Sequence, residues 1–298
     1  MPATKSMATL LTMQNATHIQ SRPDFGPRAS ALLADLRGFV AKHPKLLVLT
    51  GAGISAKSGI STYRNPQGDW QHSRPIQHRE FLDSTEHRQR YWARSAVGWR
   101  TMAEAKPNDA HKALVTLEQR GSVPLLVTQN VDRLHQQAGH SEVIDLHGRL
   151  DQVICLSCSK TEPRSDLQHR LITDNPVLAN TLAELRPDGD ANVDGALARN
   201  VRCPSCVYCG GVVMPDVVFF GGTVPKARVN RAMEVLERVD ALMVVGSSLM
   251  VFSGFRFCKA AQKMAKPIVA INQGVTRADD MLTLKVEHDC TQVLTALL

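Results

Sequence analysis

Five of the seven cysteines fall in two tight clusters, CLSCSK beginning at Cys155 and CPSCVYCGG beginning at Cys203. Two thiols with two residues between them can form a redox pair, half of a metal site or a coincidence. The C-x-x-C spacing occurs at Cys155–Cys158, at Cys203–Cys206 and again at Cys206–Cys209. A tetrahedral site closes with four sulfurs, so one of the five is spare, and spacing alone leaves open which. The gap between clusters exceeds the roughly 15–20 residues of a compact zinc ribbon. Two further groups carry chemistry. TGAGIS followed by Ala56 matches G-x-G-x-x-A, in which glycines let backbone N–H groups approach a pyrophosphate. His147, in DLHG, has an ordinary pKa of about 6.5 that suits a general base near neutrality.

Elements able to position these groups can be read from the apolar runs. KLLVLTGAGIS from Lys45, PLLVTQNVD from Pro124, DALMVVGSS from Asp240 and PIVAINQG from Pro267 each place a short apolar stretch before polar or glycine-rich residues. Continuous rather than alternating apolarity predicts strands of a parallel sheet covered on both faces. Helices are predicted between them. NDAHKALVTLEQRG runs from a capping Asn108 to Gly121, and Val229, Met233, Leu236 and Val239 recur at helical spacing in the stretch from Lys226 to Asp240. This alternation predicts an α/β fold with a Rossmann-like, doubly wound parallel sheet. Ligands of such sheets bind outside the carboxyl ends of the strands. Those ends carry Gln129, Asn130 and Asp132, then Gly246, Ser247 and Ser248, then Asn272, a set suited to ribose hydroxyls and a carboxamide. No convincing acidic residue closes the next strand after the glycine turn, which argues against an ordinary hydride-transferring dehydrogenase.

The stretch 148–213 breaks the rhythm with both cysteine clusters and RPDGDANVDG from Arg186 to Gly195. We read it as a small zinc-binding domain inserted into a nucleotide-binding domain formed by 26–147 and 214–298, with 1–25 as a flexible tail. The chain has 298 residues, 35 Lys and Arg against 28 Asp and Glu, and a net charge of +7. That charge favours anionic partners. The basic residues are dispersed, which weighs against nucleic acid as the main partner. No apolar run approaches the roughly 20 residues that span a bilayer, so no membrane partner is expected. The first 25 residues lack the apolar core of a secretory signal, and paired cysteines without export favour metal or thiol chemistry over disulfides.

Read together, GAGISAKSGISTYR, TQNVDRLH, DLHG, the paired cysteines, MPDVVFFG, GSSL and INQG resemble, in order and context, the sirtuins, NAD-dependent protein-lysine deacylases. The resemblance extends from about Leu46 to Cys290. RPIQH, RQRYWAR, PDGD and SGFRF are most similar to the class II branch, which includes a mitochondrial animal member of the lipoamidase and ADP-ribosyltransferase type. The resemblance implies NAD as cofactor, one structural Zn2+ and acyl-lysine-bearing proteins or peptides as partners. It implies that Gly51, Ala52, Gly53 and Ser55 cradle the NAD phosphates, that Tyr63 and Arg64 belong to a cofactor-binding loop, and that Gln129, Asn130 and Asp132 face ribose and nicotinamide. Gly246, Ser247 and Ser248, Asn272, Gln273 and Gly274, and Cys290 match adenosine-side contacts. Val218, Phe219 and Phe220 match the strand that pairs with an extended substrate peptide. Alignment with the family assigns Cys155, Cys158, Cys206 and Cys209 to the metal and leaves Cys203 over.

The implied catalytic residues are His147, Asn130 and Asp132. In the family reaction the acyl oxygen attacks C1′ of the nicotinamide ribose, nicotinamide leaves, and the His helps deprotonate a ribose hydroxyl. Free lysine and O-acyl-ADP-ribose result. Departures from the family pattern are Ser61-Thr62 for Pro-Asp, Gly222 for an acidic residue, and Ser253 where many relatives have Pro. Tyr91 and Arg94, spaced i, i+3, resemble a pair that reads acidic acyl tails in desuccinylating relatives. Their bland reading is a partly buried Tyr beside a surface Arg. Two other functions use the same motifs: mono-ADP-ribosyl transfer to proteins, and NAD sensing without turnover. The expected compartment is the cytoplasm, with the mitochondrial matrix as the alternative. Composition and motifs leave the oligomeric state open.

Overall fold

The computed structural model describes residues 26–71 and 75–298. The predicted tail 1–25 lies outside the described residues. In chain order the strands are β1 (Leu46–Thr50), β2 (Leu125–Thr128), β3 (Val143–Asp145), β4 (Gly148–Cys155), β5 (Thr161–Pro163), β6 (Leu185–Arg186), β7 (Asp190–Ala191), β8 (Val213–Val217), β9 (Ala241–Val245), β10 (Ile268–Ile271) and β11 (Leu284–Val286). The helices are α1 (Pro27–Lys42), α2 (His78–Asp83), α3 (Thr85–Glu104), α4 (Asp109–Gln119), α5 (Leu134–Ala138), α6 (Arg164–Asp174), α7 (Gly195–Arg199), α8 (Lys226–Arg238), α9 (Phe252–Lys263) and α10 (Cys290–Leu297). The four apolar runs form β1, β2, β9 and β10, and the capped helix starts at Asn108, whose side chain accepts from Ala110 N at 2.9 Å.

Six strands make one parallel sheet in the order β11-β10-β9-β1-β2-β3. Successive side chains of a strand point to opposite faces, and both faces here are covered. Leu46 and Val48 face Leu36 of α1, Leu114 of α4 and Leu294 of α10. Leu47 and Leu49 face Leu236 of α8 and Phe257 of α9. The chain leaves β1 toward β2 on one side and returns to β9 on the other. That reversal opens a crevice at the carboxyl ends of β1 and β9.

Between β3 and α8 the antiparallel sheet β5-β4-β8 carries α6 and α7. Its core draws on more than 148–213: Phe81 of α2 and Trp92 and Ala96 of α3 pack with Val153, Leu167 and Val213. Arg164 of α6 fastens the two parts. It is 1% exposed, its guanidinium lies 4.9 Å from the Trp99 ring centroid, and it donates to Ser95 Oγ at 3.2 Å. Burial lowers its pKa to about 10, which leaves it charged at neutrality. Gly98 lets α3 touch the strap between β6 and β7, since a Cβ there would stand 2.3 Å from Gly189 O.

Candidate active site

The crevice is a cavity of 990 Å³ between the carboxyl edge of the sheet and the small domain, at the upper end of the range for small-ligand sites. The turn after β1 forms its floor. An added Cβ at Gly51 would fall 2.8 Å from Ser247 Cβ, and one at Gly53 would fall 2.9 Å from Gly246 O. The glycines therefore seat the turn after β1 directly against the turn after β9. Gln129 Nε2 ties the same turns, donating to Ser247 Oγ at 2.7 Å. Asn272 Nδ2 donates to the carbonyls of Gln273 and Gly274 at 3.0 and 3.3 Å, and Cys290 Sγ lies 3.6 Å from Gly53 O. Gly51, Ala52, Gly53, Gly246, Ser247 and Ser248 all line the cavity, as do Asn272, Gln273 and Cys290. Gly274 does not: it packs under Pro66, where a Cβ would meet Pro66 O at 2.1 Å. This cradle of backbone, amides and hydroxyls is the donor set a dinucleotide requires.

Tyr63 and Arg64 stand on the loop above. Arg64 donates to Gly68 O at 2.6 Å and stacks on Trp70 at 4.1 Å. Tyr63, Trp70 and Phe220 meet edge to face, with centroids 5.7 to 6.0 Å apart. In the sequence Trp70 carries no motif or periodic signal; only the fold brings it to Tyr63 and Phe220.

Beneath the cradle, Asn130 Nδ2 donates to Gly51 O at 3.2 Å and Ser55 Oγ at 3.0 Å, and Ser55 Oγ donates to Asp132 Oδ2 at 2.7 Å. Asn130 lines the cavity, whereas Ser55 and Asp132 stand behind its wall. Burial raises the Asp132 pKa, opposed by the Ser55 hydroxyl and the Leu134 amide. Asp132 thus acts here as the anchor of Asn130 through Ser55. Farther back, Asn130 N donates to Thr128 Oγ1 at 3.1 Å, Thr50 Oγ1 bonds Thr128 Oγ1 at 2.9 Å, and His135 Nε2 meets Thr50 Oγ1 at 2.9 Å.

His147 follows β3 and faces the cavity. Nδ1 lies 2.9 Å from Gln129 O and Nε2 lies 2.7 Å from Ser253 Oγ. A carbonyl can only accept, so Nδ1 carries the proton and Nε2 presents its lone pair. Burial lowers the His147 pKa to about 4, partly opposed by the Gln129 carbonyl, and the nearby charges of Arg228 and Arg256 add to the depression. The ring is neutral at physiological pH, the form a general base needs.

Across the cavity, Val218, Phe219 and Phe220 continue from β8. Val218 N donates to His147 O at 2.7 Å, and Phe220 O accepts from His78 N at 2.8 Å. Phe219 turns into the core beside Phe81 and Tyr91. Tyr91 and Arg94 both line the cavity, and burial pushes the Tyr91 phenol to about 12. Arg94 is no surface residue: it is 8% exposed, ion-paired with Asp190, and donates to Ala191 O at 3.1 Å. Burial lowers the Arg94 pKa while the Asp190 carboxylate opposes that shift. Asp190 opens β7, 96 residues from Arg94 in sequence, so only packing reveals the pair.

The sulfurs of Cys155, Cys158, Cys206 and Cys209 all lie within 4.8 Å of one another, with Cys155–Cys209 at 3.5 Å and Cys158–Cys206 at 3.7 Å. Four sulfurs about 2.3 Å from a tetrahedral zinc stand about 3.8 Å apart, so the cluster fits one Zn2+ and leaves no ligand position open. Cys203 instead packs against the small domain's core, where burial raises its thiol pKa. The residues that would hold zinc are outside the cavity lining, which gives the metal a folding role.

A dinucleotide cradle at the switch point, a neutral histidine base and a four-thiolate insert together define a class, and comparison with known proteins agrees. Residues 51–253 match the Sir2 family, and the chain belongs to that family, the sirtuins. It is 55% identical over 262 residues to an NAD-dependent protein deacetylase of Bordetella bronchiseptica, covering 88% of this chain and 96% of that relative. An NAD-dependent protein deacetylase of Xanthomonas campestris pv. campestris is 53% identical over 262 residues, 88% of this chain and 89% of its own. Among solved structures, a Sir2–p53 peptide–NAD+ complex superimposes with a TM-score of 0.67 at 28% identity, covering 88% of this chain and 95% of that one.

Proposed function

We infer that this protein is an NAD-dependent protein-lysine deacylase that transfers the acyl group of an acylated lysine to ADP-ribose and releases nicotinamide. The observation that carries the reading is His147, held neutral with Nε2 toward the same cavity that the glycine turns and the 218–220 segment line. Gly51, Gly53, Gly246 and Ser247 would hold the pyrophosphate side of NAD, and Gln129 and Asn130 its ribose side. NAD supplies an anomeric carbon that loses nicotinamide as a neutral leaving group. Orientation and exclusion of water then matter more than strong acid. The protein's contribution is to fix Asn130 through Ser55 and Asp132, to close the site with Tyr63, Trp70 and Phe220, and to accept a hydroxyl proton at His147 Nε2. The substrate is a protein or peptide, as in the p53-peptide complex of the structural relative.

For the acyl chain we propose an acidic preference. Arg90, Arg94 and Arg186 line the cavity around Asp190, whose carboxylate carries the coulombic influence of Arg94 and Arg186, so this wall is rich in guanidinium groups. Because Arg94 is already paired with Asp190, the preference belongs to the cluster rather than to Arg94 alone. The class II affiliation is likewise a proposal, supported by RQRYWAR and PDGD meeting at this wall. Incubation with NAD and acetyl-, succinyl-, glutaryl- and lipoyl-lysine peptides, with O-acyl-ADP-ribose read by mass spectrometry, tests both levels. Absence of acyl transfer from every peptide, or transfer undiminished in His147→Ala, would refute deacylation. Acetyl turnover equal to glutaryl turnover, unchanged in Arg94→Ala, would refute the acidic preference.

A further inference from the structure

Ser253 stands at the second position of α9 and is 8% exposed where it borders the cavity. Its Oγ is 2.7 Å from His147 Nε2, and the opposite ring nitrogen is held by Gln129 O at 2.9 Å. With Nδ1 protonated, the Ser253 hydroxyl is the donor to Nε2. A hydroxyl donating to a neutral imidazole, itself oriented through its other nitrogen, is the arrangement that activates a serine as a nucleophile. The surroundings favour negative charge at that point. α9 is twelve residues long and its N-terminal end lies there, where the backbone dipoles sum to a partial positive charge. Arg256, one turn on and also at the cavity, has its Nε buried without a hydrogen-bond partner while its guanidinium lies 5.3 Å from the Phe252 ring centroid.

We propose that Ser253 and His147 form an acyl-transfer dyad that hydrolyses the ester of O-acyl-ADP-ribose in the cavity where that ester is made. The identity of the ester rests on the deacylase reading above; the dyad itself does not. Ser253 Oγ attacks the ester carbonyl as its proton passes to His147 Nε2. The bond from the acyl carbon to the ribose oxygen breaks, and His147 returns the proton to that oxygen, leaving ADP-ribose and acyl-Ser253. Water then attacks the acyl carbon, gives a proton to Nε2, and Ser253 Oγ departs with it. The sum is ester plus water to alcohol plus carboxylic acid, with no change of oxidation state. Arg256 and the end of α9 supply the positive potential for the oxyanion of each step. The deacylase would then release a share of its product as ADP-ribose and free carboxylate.

The test uses the full zinc-loaded chain and purified O-acetyl-ADP-ribose without NAD, in water enriched in 18O. Expected is ADP-ribose formation about a hundredfold above the buffer rate, the lower end of what a positioned base contributes, with 18O in the acetate. Ser253→Ala and His147→Ala fall to the buffer rate, Ser253→Thr keeps part of the activity, and a fluorophosphonate probe labels the Ser253 peptide. Unchanged circular dichroism and zinc content of Ser253→Ala establish that it is folded. Wild-type hydrolysis at the buffer rate, or equal hydrolysis in Ser253→Ala, overturns the proposal. A parallel reaction with NAD and acyl-peptide separates the two claims. Ester hydrolysis without nicotinamide release would sink the deacylase reading and keep the dyad; acyl transfer without ester hydrolysis would sink the dyad alone.

Discussion

Replacing His111 by Gln should flatten the acid sensitivity of the fold. His111, His135 and His140 form a buried edge-to-face cluster behind β2, with ring centroids 4.8 and 5.3 Å apart and Glu118 3.3 Å from His140. Burial lowers the His111 pKa from 6.5 to about 4, and the His140 charge adds to the depression. His135 and His140 are lowered as well, by burial first. A histidine held neutral in the fold leaves the unfolded chain as the better proton acceptor between the two values. Its stabilisation is therefore full above pH 6.5 and lost as pH falls toward 4. For His111 a gap of about 2.5 units at about 1.4 kcal/mol each amounts to about 3.5 kcal/mol, against a typical total of about 5–15 kcal/mol. Gln keeps the cap, because His111 Nδ1 now accepts from Asn108 N at 3.3 Å and a Gln oxygen at that helical position can do the same. Urea unfolding of both proteins at several pH values from 7.5 to about 4.5 should show the wild type losing stability faster, with the difference growing by about 1.4 kcal/mol per unit below 6.5. Zinc loss affects both proteins alike and cancels in that difference. Parallel stability curves would refute the assignment of His111 as a neutral buried group. Because His135 reaches Asn130 through Thr50 and Thr128, acid should also loosen the cavity floor.

Zinc stoichiometry of one per chain should survive Cys203→Ser and collapse with Cys209→Ser, as measured by metal analysis after gel filtration. The acid limb of kcat/KM should reflect His147 at about 4 rather than at the ordinary 6.5; a limb near 6.5 would mean the ring is solvated in the working enzyme. Gly98→Ala drives a methyl into Gly189 O and should cost about 1–3 kcal/mol, seen as a lowered Tm, together with altered acyl selectivity because Gly189 leads directly into Asp190 of β7. Arg94→Ala removes the ion-pair partner of a partly buried Asp190, whose charge Arg186 still offsets in part, and should destabilise the fold by about 1–3 kcal/mol; Arg94→Ala with Asp190→Ala should recover part of that loss in chemical denaturation.

The amino-acid sequence by itself determined what is local. Continuous apolar runs before glycine or amide turns are enough to define β1, β2, β9 and β10, because a strand covered on both faces has no polar side to show. Their carboxyl ends, and with them the cavity, follow from the doubly wound arrangement. The G-x-G-x-x-A turn needs its glycines because the turn after β9 packs against it without room for a Cβ. What packing alone decided are meetings between distant residues. Nothing in C-x-x-C spacing separates Cys203 from its neighbours; the fold brings Cys206 and Cys209 to Cys155 and Cys158 and turns Cys203 toward the core. Asp132 reads in the sequence as a ligand-facing carboxylate, yet Ser55 and the Leu134 amide hold it behind the wall. The Arg94–Asp190 pair and the Ser253–His147 bond span 96 and 106 residues. Periodicity carries only near-neighbour order along a strand or helix, whereas these contacts depend on how α3 meets the strap and how α9 meets the end of β3. That is where a residue conspicuous only for replacing a proline becomes the partner of His147.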